Sequence, residues 1–286
     1  MPLNRRKLGN SAMKDCSRKK IKDFFILGSI LFIFIQIIPA AVAAGPIIDH
    51  NCTDLSLIPA QWIEQAKSEL HIAYQHTSHG SQLITGMNAL RSFPSFGTTY
   101  DWDDTGARAG ALDLDDYGIP GCSDLSQGDS IDGNGVTPWV TATRNLLDNS
   151  VNYHVNVIMW SWCSINGHDI TRYLDNMEIL IAEYSEGGSS PRAASYPVKF
   201  IFMTGHAEGQ GESGFIYAAN EQIRQHCINN NRILFDFADI ESYDPDEIYY
   251  YNRPMWDDLD YTDVSYRDSN WGIEWCSATQ DLSLNN

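Results

Sequence analysis

The sequence predicts an α/β fold, a three-layer α/β/α sandwich around a parallel sheet. Residues 153–160 (YHVNVIMW), 198–203 (VKFIFM) and 233–237 (ILFDF) are short, largely continuous apolar runs. Continuous runs without strict alternation read as strands buried on both faces. Helical periods separate them: Ile170, Tyr173, Leu174, Met177, Ile181 and Tyr184 share one face, and residues 214–229 form a second helical stretch. Strands alternating with helices imply parallel neighbours joined by crossovers.

The elements follow in order. Residues 1–44 contain eight basic side chains between Arg5 and Lys22, an apolar run at 24–38, and a small-residue segment ending in Ala43-Ala44. That order is expected of a secretory signal peptide, with an uncleaved N-terminal anchor as the alternative. Pro59 opens a helix whose face is Trp62, Ile63, Ala66 and Leu70. Residues 70–75 read as a strand. The polar turn His76-Thr77-Ser78-His79-Gly80-Ser81 follows, and then an amphipathic helix with Leu83, Met87 and Leu90 at its core face. Residues 91–136 are Gly- and Asp-rich with little periodicity, and are expected to form a lid or wall with one short strand near 111–114. Thr137-Pro138 starts the next helix. After the strand–helix series, residues 243–286 are acidic, aromatic and irregular, and should wrap over a single domain spanning 45–286.

Charge narrows the partners. The chain carries 19 basic and 37 acidic residues. Without the eight basic and two acidic residues of 1–44, 11 and 35 remain, a net charge of −24. Such a surface repels nucleic acid and anionic lipid, so neither is expected as a partner; a small-molecule or carbohydrate ester is. No cofactor is expected. The acidic loops could hold Ca²⁺, but none has an EF-hand register. In an oxidising compartment Cys52, Cys122, Cys163, Cys227 and Cys276 predict two disulfides and one free thiol, Cys163.

In such a sheet, ligands gather at the carboxyl ends of the strands. The residues predicted there are His76, Thr77, Ser78 and His79; then Ser161, Trp162, Cys163 and Asn166; then His206 and Glu208; then Asp236, Asp239 and Glu241. A hydroxyl, an imidazole to take its proton and a carboxylate to orient the imidazole are the groups acyl transfer needs.

The stretch Ile72-Ala73-Tyr74-Gln75-His76-Thr77-Ser78 resembles the first block of the SGNH/GDSL hydrolases, a strand followed by Gly-Asp-Ser and a helix. Ser78 takes the serine position, and His76 and Thr77 stand where Gly and Asp usually do. The resemblance spans roughly residues 68–242 by order of elements, with only this first block matching by residue type. It implies a flavodoxin-like strand order and an exported serine esterase or acyl hydrolase. Ser78 would be the nucleophile, Asn166 an oxyanion donor, and His76, Trp162 and Cys163 substrate contacts. That superfamily ends in Asp-x-x-His, whereas Asp268-Ser269-Asn270-Trp271 ends in Trp and no His follows His226. His206 is therefore the expected base, with Asp236 or Asp239 orienting it.

Plainer roles compete. Ser78 could simply cap the following helix, and His206 could be a hydrogen-bonded structural histidine. Asp236 and Asp239 could be caps or ion-pair partners, and Trp162 core. Two other functions stay open: an inactive carbohydrate- or surface-binding fold, and a metal-dependent hydrolase using His76, His79 and His206.

Overall fold

The computed structural model describes residues 45–133 and 135–279. The expected signal peptide lies outside them. Among the described residues no helix is long and apolar enough to cross a membrane.

The core is one seven-stranded parallel sheet. Its strands are β1 (Ile47–Ile48), β2 (His71–Gln75), β3 (Trp102–Asp103), β4 (Leu112–Asp116), β5 (Val157–Trp160), β6 (Lys199–Met203) and β7 (Ile233–Phe235). They lie in the order β1-β7-β6-β5-β2-β4-β3. Setting aside the two-residue edges, the inner five run β4-β2-β5-β6-β7. This is the flavodoxin-like order, in which the chain reverses direction beside its first inner strand. The reversal falls between β2 and β5, whose register pairs Gln75 with Trp160.

Both faces of the sheet are apolar, because successive side chains of a strand point to opposite sides. Ala73, Ile158, Trp160, Phe200, Phe202 and Leu234 join the larger core with α3 (Pro138–Leu147), α4 (Ile170–Tyr184) and α5 (Phe215–Asn230). Ile72, Tyr74, Met159, Ile201, Met203 and Phe235 face a smaller core, completed by Leu83, Ile84 and Met87 of α2 (Ser81–Ser92). The helix at α1 (Ala60–Glu69) packs beside β4. These helices and inner strands fall where the periodicity places them.

Three regions were less legible. β1 has two residues, too few for a periodic signal, and it extends the sheet beyond β7. The Gly/Asp-rich stretch contributes two strands, β3 as well as the expected β4. β4 reads Leu-Asp-Leu-Asp-Asp, and its acidic residues hide its strand character. The C-terminal stretch holds a hairpin, β8 (Asp260–Tyr261) with β9 (Ser269–Asn270), and α7 (Trp271–Thr279). It also buries Tyr250, Tyr251, Met255 and Tyr261 in a third apolar cluster with Ala207.

The disulfide expectation needs correction. Cys52, Cys122, Cys163 and Cys227 are free thiols, so two bridges among the five cannot form. Cys122 and Cys227 lie in the core instead. Burial pushes the Cys227 thiol up to about 12 and the Cys122 thiol to about 11, which leaves both unreactive.

Candidate functional site at the switch point

The turn after β2 is built to be tight. Gly80 has no room for a side chain: a Cβ there would lie 2.3 Å from Ser161 Oγ and 2.4 Å from His76 Cβ. Tyr74, buried beneath, donates its hydroxyl to Gly80 O at 2.8 Å. Ser78 has φ +44°, the left-handed region that non-glycine residues seldom adopt. Such backbone strain persists only where the surroundings impose it, and it clusters at functional sites. Ser78 is exposed, and its hydroxyl makes no hydrogen bond among the described residues. Its backbone N–H and that of His79 also lack an intramolecular acceptor there. Ser81, the other hydroxyl in the turn, is tied to Ser78 O at 2.6 Å.

The two turn histidines part company. His76 points into the protein, 1% exposed, with Nε2 at 2.6 Å from Asp116 Oδ1 and its ring between Tyr74 and Tyr117. The substrate-contact role expected for it is therefore corrected: its ring belongs to a buried wall. His79 turns the other way. Its Nε2 lies 2.6 Å from Asp257 Oδ2 and its Nδ1 lies 3.0 Å from Cys163 O. His206, leaving β6, packs against His79 with ring centroids 3.7 Å apart and the rings tilted by 41°. Its Nε2 is 2.6 Å from the same Cys163 carbonyl and 3.5 Å from Glu208 Oε1, and its Nδ1 is 2.9 Å from Ala207 O.

Other elements brace this pair. The Ser126 hydroxyl accepts from the N–H groups of Cys163 and Ser164, both at 2.9 Å, and Thr77 donates to Asp124. Residues 124–126 of the long loop thus form a wall of the site. The C-terminal stretch reaches it through a Glu208–Trp256 bridge and the Gly209 N–H to Met255 O bond, which carry Asp257 onto His79. Beneath, Glu241 is buried and accepts from Ala207 N through Oε1, while its Oε2 has no partner among the described residues. Burial, reinforced by nearby Asp257, pushes the Glu241 carboxyl well above the ordinary carboxylate value.

Several expected roles change. Asp236 forms a buried pair with Arg224, with Nε–Oδ2 at 2.5 Å and Nη2–Oδ1 at 2.8 Å, and accepts from Thr204. Asp239 holds His50 Nδ1 at 2.5 Å. Both carboxylates are committed elsewhere, so neither orients His206. The carboxylates that reach the imidazoles are Asp257 and Glu208. Trp162 is 3% exposed, packs in the core and donates to Met203 O, so it offers a substrate no surface. Cys163 contributes its carbonyl, and Asn166 is exposed on the loop after β5. The proposed metal triple of His76, His79 and His206 is not assembled, because His76 faces Asp116.

No known family model matches this chain, and neither does any curated protein or solved structure. Its chemistry rests on this geometry alone.

Asp257 escaped the sequence reading because it sits in a run with Asp258 and Asp260, where nothing local marks one acid over another. Glu208 was visible as a residue just past a strand end. Its partner was not, because that contact depends on how the loop closes.

Proposed function

We propose that the chain is an exported serine hydrolase of esters. Ser78 is the nucleophile and the His79–Asp257 pair, packed against His206, supplies the base. The observation that carries this reading is the strained, exposed Ser78 beside a carboxylate-bound imidazole at the reversal point of the sheet. Attack of Ser78 Oγ on an ester carbonyl needs a base for its proton and donors for the oxyanion. The unpaired N–H groups of Ser78 and His79 are such donors. Asp257 favours the imidazolium that forms when His79 takes the proton. His79 Nδ1 rests on Cys163 O, so ring and hydroxyl close on one another when substrate binds. The acidic surface disfavours anionic substrates.

A fluorophosphonate probe tests the reading. Wild-type protein is expected to be labelled at Ser78, and Ser78→Ala protein not at all. Equal labelling of both proteins would remove Ser78 from the mechanism. A folded wild type that is never labelled and turns over no aryl ester would favour a binding role for the same cleft.

A further inference from the structure

We infer that His79, His206 and Asp257 form a binding site for one divalent cation of the zinc class. The site goes beyond the serine reading and does not depend on it; with the cation bound both nitrogens of His79 are engaged, so His79 serves as base only in the metal-free protein.

The argument begins with lone pairs. A neutral imidazole has one N–H and one bare nitrogen. Both nitrogens of His206 face backbone carbonyl oxygens, Ala207 O at 2.9 Å and Cys163 O at 2.6 Å. Both nitrogens of His79 face oxygens as well, Cys163 O at 3.0 Å and Asp257 Oδ2 at 2.6 Å. In each ring, whichever nitrogen carries the proton, the other turns its lone pair toward an oxygen lone pair. Protonating both rings would satisfy the contacts, but would set two positive charges side by side with centroids 3.7 Å apart. A cation between the rings resolves the conflict without that repulsion. Each Nδ1 then donates to its backbone carbonyl, and each Nε2 is left as a ligand. Histidine ligands of metals usually show this pattern, with the far ring N–H held by a carbonyl.

The donor set agrees. One ring nitrogen from each histidine and a carboxylate oxygen of Asp257 lie within 4.8 Å of one another. Metal–nitrogen and metal–oxygen bonds of about 2.0–2.2 Å require His79 Nε2 and Asp257 Oδ2, now 2.6 Å apart, to separate modestly and admit the ion. Two imidazoles and one carboxylate suit zinc and its neighbours rather than Ca²⁺ or Mg²⁺, which prefer oxygen. A second, independent observation points to the same place. Glu208 Oε1 is buried with no hydrogen-bond partner and lies 3.5 Å from His206 Nε2. Glu241 is 7% exposed, its Oε2 has no partner, and its other oxygen holds the N–H of Ala207, next to His206. Glu208 therefore brings to the rings a carboxylate oxygen that no protein donor among the described residues satisfies, and it is placed to become a further ligand.

The test uses the full chain, stripped with a chelator and titrated with Zn²⁺ by calorimetry, and separately loaded with Co²⁺. The expected result is one equivalent of zinc, with Co²⁺ giving visible absorption of a nitrogen- and oxygen-ligated centre. His79→Ala, whose ring is partly exposed, and Asp257→Asn should each weaken binding at least about 100-fold. Circular dichroism checks that each variant is folded. Asp239→Asn, in the separate Asp49–His50–Asp239 cluster, should bind as wild type does. Absence of binding by the wild type, or full-strength binding by His79→Ala, overturns the inference. So does loss of binding in Asp239→Asn alone, which would move the cation to the other cluster. Probe labelling of Ser78 is read separately, so a failed nucleophile and a failed cation site give different results.

Discussion

Two clusters at the carboxyl edge of the sheet pair histidine with aspartate, yet they differ in what they leave unsatisfied. Near the β1–β7 edge, Asp239 Oδ2 holds both His50 Nδ1 and the His50 backbone N–H. The ring stacks on Tyr243 at 3.7 Å, and Asp49 caps its own turn through Asn51 N. Nearby Asp236 is neutralised by Arg224. Each charge there has a partner inside the cluster. At the β2–β5 reversal, two imidazoles crowd one carbonyl oxygen, buried Glu241 and part-buried Glu208 each keep an oxygen without a partner among the described residues, and a strained serine exposes its hydroxyl. Similar residue types thus make a structural clasp in one place and leave an unsatisfied candidate site in the other. The difference lies in whether the surrounding backbone satisfies the polar groups, because unmet buried polar groups cost stability that function must justify.

The sharpest break of this contrast is Ser78→Ala. It should lower ester turnover by at least about 10³-fold while leaving the urea midpoint within error of wild type. Asp257→Asn should come next, cutting kcat by about 10²- to 10³-fold with KM little changed, because the carboxylate acts on the imidazolium and not on bound ester. On the clasp side, Arg224→Met strands the buried Asp236 carboxylate. It should cost about 3 kcal/mol in urea unfolding, and any activity left at low temperature should have normal KM. Asp239→Asn should cost under about 1 kcal/mol, since His50 and Asp239 are both partly exposed, and should leave turnover unchanged. A large loss of activity in either clasp variant would erase the distinction between the two regions.

A further expected effect is one of pH, away from both clusters. Asp115 on β4 is half-buried, and burial together with neighbouring Asp113 raises its carboxyl from the ordinary 3.8 to about 6. The folded state therefore binds this proton more tightly than the unfolded chain does. Its contribution is fully present below about pH 4 and is lost as pH rises through about 6. Asp115→Asn cannot ionise, so its Tm relative to wild type should rise between pH 4 and 6 and then level off. A flat difference across that range would show that Asp115 titrates normally.

The sequence by itself determined the layers and the position of the edge. Periodicity is a local property: continuous apolar runs and 3.6-residue spacing mark β5, β6, β7, α2, α4 and α5 without knowledge of their neighbours. Because ligands gather where parallel strands end, that layout also brought Ser78, His79, His206 and Glu208 into consideration. The tertiary structure decided how these residues combine. His76 and His79 are three residues apart in similar polar surroundings, and only the left-handed turn at Ser78 sends one into the Tyr74–Tyr117 wall and the other toward Cys163. Asp236 and Asp257 are both aspartates near a strand end or in a loop. Arg224, fixed on α5, claims the first, and the Glu208–Trp256 bridge delivers the second. Such pairings join residues far apart in the chain. They are set by which charges the packed elements bring within about 4 Å of each other, and no local pattern encodes that distance.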